Sequence, residues 1–350
     1  MKTVLTLWLL LALCAPVAAE SIADVSDLYM HERYGDAAAL CGTMLEKAPG
    51  DPVLTHLNGR ILADLYDFAT AVPYLEHGLT PGAPAWVPGW SSLYLGICAL
   101  NTGDTEAARR HWNAVISGSS TANATDTASL YRDGCLDGGR HADWIARDTE
   151  HFEFRFSPSI EGLDFDAYAN KHELAHTFIA TWCDAGEDRP IRYFVWDSKE
   201  EMFAAGLRTP GFNRARVSLV HVRRDQSIGH EMAHVLSLRT HKPTYISGLI
   251  AEGLAVFLDM NPGSRLEAAR DALRDHGEPV TVDALWNEWW THDPHLAYAV
   301  AGAFVEMLVD KGGRERFLEL FVDMDRENAR RVYGDDLDGW ITEFETSLTR

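Results

Sequence analysis

His230-Glu231-Met232-Ala233-His234, followed after 17 residues by Glu252-Gly253-Leu254-Ala255, is the stretch on which the reading of the whole chain turns. On a helix, positions i and i+4 share a face, so His230 and His234 can grip one ion together. Glu231 points about a third of a turn away, within reach of a water beside that ion. A catalytic metal of the zinc type needs a third protein ligand and one open position. Glu252 supplies the third ligand if the first helix ends, a loop passes through Pro243, and a second helix returns.

The pentapeptide pattern occurs twice. Residues 172–176 read His-Glu-Leu-Ala-His, also with helical spacing. Context separates the two. After His176 no Glu-Gly-x-Ala segment follows: Glu187 sits in a polar turn, and Glu200 and Glu201 begin another helix beyond a strand. The reading therefore places the metal at 230–234. His172 and His176 read as a helix face beside Phe165, Tyr168 and Ile179, with a second metal site as the lesser reading.

Outward from the motif, the texture alternates. His151 to Phe156 has period two, as a half-buried strand does. Residues 163–182 read as a helix, Ile191 to Trp196 as a strand, 198–206 as a short helix and Arg216 to Val222 as a third strand. From there to the end the pattern is helical. This order predicts an α+β lobe followed by a helical C-terminal lobe.

Together these features resemble the gluzincin zinc metallopeptidases, in particular the peptidase-MA-like domains often attached to tetratricopeptide repeats. The resemblance covers about 151–347 and includes Tyr298-Ala-Val-Ala-Gly-Ala-Phe-Val305 and Leu337-Asp-Gly-Trp340. It implies a thermolysin-like zincin fold, with Zn2+ held by His230, His234 and Glu252, and peptide hydrolysis with Glu231 as general base. It also implies that Tyr298 steadies the oxyanion, with His295 as the other candidate. The substrate-amine motif Gly-x-Met-Glu-Asn of the aminopeptidase branch is not found, which favours an endopeptidase. Three supporting roles are expected: Arg216–Val222 as an edge that receives substrate backbone, Asp259 as support for a ligand histidine, and Trp286, Trp289 and Trp290 mainly as core.

Residues 20–116 pair turn signals with small and large apolar residues: Tyr34-Gly35-Asp36, Tyr66-Asp67-Phe68 and Gly103-Asp104 each open a helical block. Blocks recur about every 32 to 37 residues, in the range of a helical-hairpin repeat. This resembles degenerate tetratricopeptide repeats and implies an all-α repeat segment that docks a protein partner. A catalytically inactive scaffold built on the peptidase fold is the alternative function. Residues 117–150 read as a linker, since 117–129 carry no large apolar side chain, and 151–350 form the metallopeptidase domain.

Lys2, the apolar run Leu5–Leu13 and Val17-Ala18-Ala19 read as a signal peptide over residues 1–19, so an exported protein, periplasmic or secreted, is expected. Leu13 before Cys14 argues against a lipid-attachment signal. Downstream, no stretch is apolar and long enough to span a membrane. Cys41, Cys98, Cys135 and Cys183 remain; an oxidising compartment would permit disulfides, and the sequence does not choose a pairing. With 31 basic and 52 acidic residues the formal charge is −21, which argues against general nucleic-acid binding. One local reversal, Arg208, Arg214, Arg216, Arg223 and Arg224 without an acid among them over 202–224, predicts a preference for acidic or C-terminally anionic peptides.

Overall fold

The computed structural model describes residues 21–349 except 119, 187, 188, 210, 278 and 279; the leader assigned to residues 1–19, and Glu187, lie outside the described residues. Seven helices come first: α1 (Ile22–Met30), α2 (Tyr34–Lys47), α3 (Pro52–Asp64), α4 (Phe68–His77), α5 (Val87–Asn101), α6 (Thr105–Ser117) and α7 (Ala122–Cys135). Helices α1/α2, α3/α4 and α5/α6 pack as successive hairpins. Asp67 and Asp104, both in the predicted turn signals, cap α4 and α6 by accepting from Thr70 N and Ala107 N, so each aspartate satisfies a helix-end amide.

The expected linker at 117–150 is not a linker in the structure. Its middle is α7, whose Ala124, Ala128, Tyr131 and Cys135 are buried at helical spacing, and its end contributes a strand. This helix packs mainly on α6 and α5, and its last turn approaches the sheet closely. A Cβ at Gly134 would come within 2.8 Å of the Leu219 side chain.

A five-stranded mixed sheet follows, interleaved with helices: β1 (Ile145–Asp148), β2 (Phe152–Phe156), α8 (Phe165–Trp182), β3 (Ile191–Trp196), α9 (Lys199–Ala204), β4 (Gly211–Arg214) and β5 (Leu219–Arg223). The order across the sheet is β1-β2-β3-β5-β4, with β2/β3 and β3/β5 parallel and both outer pairs antiparallel. Side chains alternate between two cores, as the period of two requires. Ile191, Tyr193, Val195, Val220 and Val222 join α8 and the C-terminal helices; Phe194, Trp196 and Leu219 join the N-terminal helices. The sheet is thus covered on both faces, which is why β3 and β5 read as nearly continuous apolar runs.

The third strand differs from its prediction. Residues 215–217 form a 3-10 turn, Ser218 is left-handed at φ 53, and β5 begins only at Leu219. β5 is an interior strand, so it offers no edge for a substrate. The edge is β4, a strand the sequence reading lacked.

The rest is helical: α10 (His230–His241), α11 (Gly248–Leu258), α12 (Arg265–His276), α13 (Val282–Glu288), α14 (Pro294–Gly312), α15 (Arg314–Val322), α16 (Arg326–Tyr333) and α17 (Asp336–Leu348). Among the described residues no helix is long and apolar enough to cross a membrane. Cys41, Cys98, Cys135 and Cys183 are buried free thiols.

Candidate metal centre

α10 starts where the chain leaves β5 and turns through Gly229 at φ 104, a left-handed value that glycine adopts without steric cost. A bond of 2.7 Å from Ala233 N to Gly229 O closes the first turn. α11 returns alongside, and a close approach to α14 fixes its depth. A Cβ at Gly253 would lie 2.6 Å from Ala301 O and Val305 Cγ2, and one at Gly302 would strike Val256. The glycine after Glu252 therefore has a packing reason: α14 occupies the space a side chain would need.

This framework brings His230, His234 and Glu252 together. Their ligand atoms lie within 4.8 Å of one another, and among the described residues they are the one such group that could hold a metal ion. Glu252 Oε2 is 3.0 Å from His234 Nε2 and 3.3 Å from His230 Nε2. His234 and Glu231 are buried, and His230 and Glu252 are partly so. Burial opposes the charged imidazole of His234, but the Glu252 carboxylate outweighs it and pushes the group up to about 9. Burial likewise opposes ionisation of Glu252; His234 and then His230 overcome this and hold the carboxyl well below the usual range.

Glu231 is held from the edge of the sheet. Asn213 on β4 donates Nδ2–H to Glu231 Oε2 at 2.9 Å. Neither side chain's partner was visible in the sequence, because no feature of Phe212-Asn213-Arg214 marks a strand. The antiparallel register of β4 on β5, with Asn213 opposite Val220, is what aims Asn213 toward α10.

Tyr298 on α14 also belongs to this cleft. Its ring centroid is 5.9 Å from that of His230 and 5.6 Å from that of Trp289. Burial, then Glu252 and Glu231, raise its phenol well above the ordinary value, so the hydroxyl stays protonated. His295, the other candidate, is exposed in the first turn of α14.

Several expectations are corrected. Asp259 touches no histidine: it accepts from Ser227 Oγ at 2.7 Å, Asn261 Nδ2 at 3.0 Å and Arg265 Nη2 at 2.7 Å. It ties the end of α11 to the segment entering α10, an anchor shared by the 2.9 Å bond from Met260 N to Ile228 O. The arginine-rich stretch does not pool its charge in the cleft. Arg216 pairs with Asp64, Arg223 with Asp225 and Arg224 with Asp197. Arg214 stacks over Phe212, two positions along the strand and on the face opposite Asn213. The preference for acidic peptides loses its physical basis.

The second motif is an aromatic packing site. His172 is buried, its ring stacked on Tyr168 with centroids 4.2 Å apart, and Nδ1–H donates to Tyr168 O at 2.9 Å. Its surroundings are Phe152, Phe154 and Tyr193. His176 stacks on His151 at 3.9 Å, and Glu173 takes His151 Nδ1 at 2.6 Å. Trp286 and Trp289 are core as expected, whereas Trp290 is 81% exposed.

Two imidazole nitrogens and a carboxylate oxygen form a donor set that could hold a metal ion: Glu252 Oε2 stands 3.0 and 3.3 Å from the two nitrogens, and all three atoms lie within 4.8 Å of one another. The chain matches no protein-family model and no curated protein.

Proposed function

We propose that this chain is a zinc-dependent endopeptidase of the gluzincin type, with the thermolysin-like zincin arrangement over 151–350 and the tetratricopeptide-like helices packed behind its sheet. The leader-like residues 1–19 support an exported location. The observation that carries the reading is the convergence of His230, His234 and Glu252 beside a carboxylate, Glu231, which is not one of the three. A zinc ion held by those three residues would supply Lewis acidity, drawing the pKa of a water toward neutrality and polarising a peptide carbonyl.

The chain's own residues then have separable tasks. Glu231 accepts the proton of the attacking water and delivers it to the leaving amine. Asn213 occupies one oxygen of Glu231 and leaves the other for the proton, which fixes the carboxylate's orientation. Tyr298, kept protonated, donates to the oxyanion as charge develops there. β4, the edge strand beside α10, offers backbone amides and carbonyls to an extended peptide.

The test is metal content and peptide hydrolysis by the purified full chain. One zinc per chain with hydrolysis, lost in Glu231→Gln while zinc is retained, supports the reading. Stoichiometric zinc without cleavage across a broad peptide panel overturns it and favours the scaffold alternative.

A further inference from the structure

The turn that follows β4 is gripped from two sides. From α10, Arg239 donates Nη1–H to Ser218 Oγ at 2.6 Å. From the N-terminal helices come contacts to Arg216, in the middle of the 3-10 turn 215–217. Its Nε stands 2.8 Å from Asp64 Oδ1, at the last residue of α3. Its backbone carbonyl accepts from Asn101 Nδ2, at the end of α5, at 2.9 Å and from Arg189 Nη2 at 2.8 Å.

The receiving site is assembled from several of those helices. The Asp64 side chain is only 3% exposed. Its Oδ2 accepts from the hydroxyls of Tyr29 on α1, at 2.5 Å, and Tyr94 on α5, at 3.2 Å. The Arg216 guanidinium lies over the rings of Tyr34 and Tyr66, at 5.4 and 5.8 Å. A planar cation between aromatic faces, with a carboxylate at its edge, is the environment that suits arginine and not lysine. The face of the hairpins that the repeat pattern would offer to a partner therefore takes an arginine of this chain.

Only Ala215 separates Arg216 from the end of β4. β4 is four residues long and pairs with β5 alone, so its own ladder holds it weakly. Yet this strand carries Asn213, which donates to Glu231 at 2.9 Å. We propose that Arg216 and Asp64 are positioning residues for the hydrolysis: the N-terminal helices anchor the turn, the turn fixes β4, and Asn213 on β4 fixes the Glu231 carboxylate. This rests on the peptidase reading. The N-terminal helices thereby become part of the catalytic unit, beyond any docking role. Val217 and Leu219 remain packed in the core shared with these helices, so loss of Arg216 loosens the turn without releasing them.

Three changes to the full chain test this. Arg216→Met removes the cation. Arg216→Met combined with Asp64→Asn removes both charges and leaves no unpaired buried carboxylate, which keeps the test open if the single variant does not fold. Arg216→Lys keeps the charge without the planar fork. Zinc content, kcat at saturating peptide and hydrogen exchange over 211–217 are measured for each. The charge-free double variant is expected to lose about tenfold in kcat and to exchange about tenfold faster over 211–217. Arg216→Lys should recover part of both. Zinc per chain should be unchanged, since Arg216 is not one of the three donors. In an Asn213→Ala background the same double replacement should lower kcat no further, because both act on one carboxylate. Losses that multiply instead would make the network a general stabiliser and overturn the proposal. Unchanged kcat, unchanged exchange over 211–217 or loss of zinc would overturn it as well. Failure of the peptidase reading looks different: the parent cleaves no peptide, while exchange over 211–217 still decides whether Arg216 holds the strand.

Discussion

Asn213 and Glu231 are joined by a 2.9 Å hydrogen bond that links the edge strand of the sheet to the first turn of α10. This bond ties the sheet edge directly to the proposed general base. Asn213→Ala leaves Glu231 free to rotate in a buried site. Turnover is expected to fall about tenfold, the order expected for one lost hydrogen bond to a charged group. Metal content should be unchanged, because Asn213 touches none of the three donors. Steady-state kinetics beside metal analysis checks this; equal turnover in parent and variant would deprive the bond of its orienting role.

Removal of a donor should separate from removal of the base. Glu252→Gln keeps the size of the side chain but takes away the charge that holds both histidines. Metal affinity is expected to fall by at least tenfold, and chelator treatment of the parent should lower its thermal midpoint because a ligand bound only by the native state stabilises it. Calorimetric titration with zinc and thermal melts with and without chelator measure both. Unaltered affinity in Glu252→Gln would mean that the third donor lies elsewhere.

The glycine after Glu252 tests whether packing sets the depth of the site. Gly253→Ala places a methyl 2.6 Å from Ala301 O, a backbone atom that cannot yield cheaply. Destabilisation of about 1–3 kcal/mol is expected, as for overpacked cores, together with weaker metal binding as α11 moves away from α14. Gly42→Ala in α2 is the control. Nothing lies within 4 Å of its added methyl, so it should be neutral or slightly stabilising through helix propensity. Equal melting of the two variants would remove packing as the reason for Gly253.

These cases also show what a linear reading can and cannot deliver. The cluster of His230, His234 and Glu252 was legible because each side chain sits on a helix with its own local signature, and i,i+4 spacing needs no knowledge of the remainder. The strand at 152–156 was legible from period two, whereas 191–196 is a nearly continuous apolar run. Asn213 was not legible, since its contact with Glu231 comes from a sheet register. The 117–150 segment misled for a different reason. Ala, Thr and Ser mark a linker by composition, yet Ala124 and Ala128 are buried in α7, which packs on α6 and α5. Arginine counting failed at 202–224 because strand alternation and distant acids such as Asp64 decide where a charge acts.

The second His-Glu-Leu-Ala-His segment predicts an acid sensitivity. Burial pulls the His172 imidazole down to about 4, and burial likewise lowers His176 to about 4. An unfolded chain protonates these rings near pH 6.5, whereas the native state resists protonation until about pH 4. Between those values the unfolded state binds more protons, so stability falls as pH drops. For His172 the loss approaches the order of 3 kcal/mol once pH is below about 4. His234 has the opposite sign in metal-free protein: with its native value raised to about 9, its contribution is complete below pH 6.5 and is lost as pH rises toward 9. Below pH 6.5 the His234 contribution is constant, so it adds no slope to the acid limb. His172→Phe puts an apolar ring among Phe152, Phe154 and Tyr193 and removes one proton acceptor. Its denaturant midpoint should decline less steeply than the parent's between pH 6.5 and 4. Parallel acid limbs in the two proteins would show that His172 is protonated as readily in the folded chain as in the unfolded one.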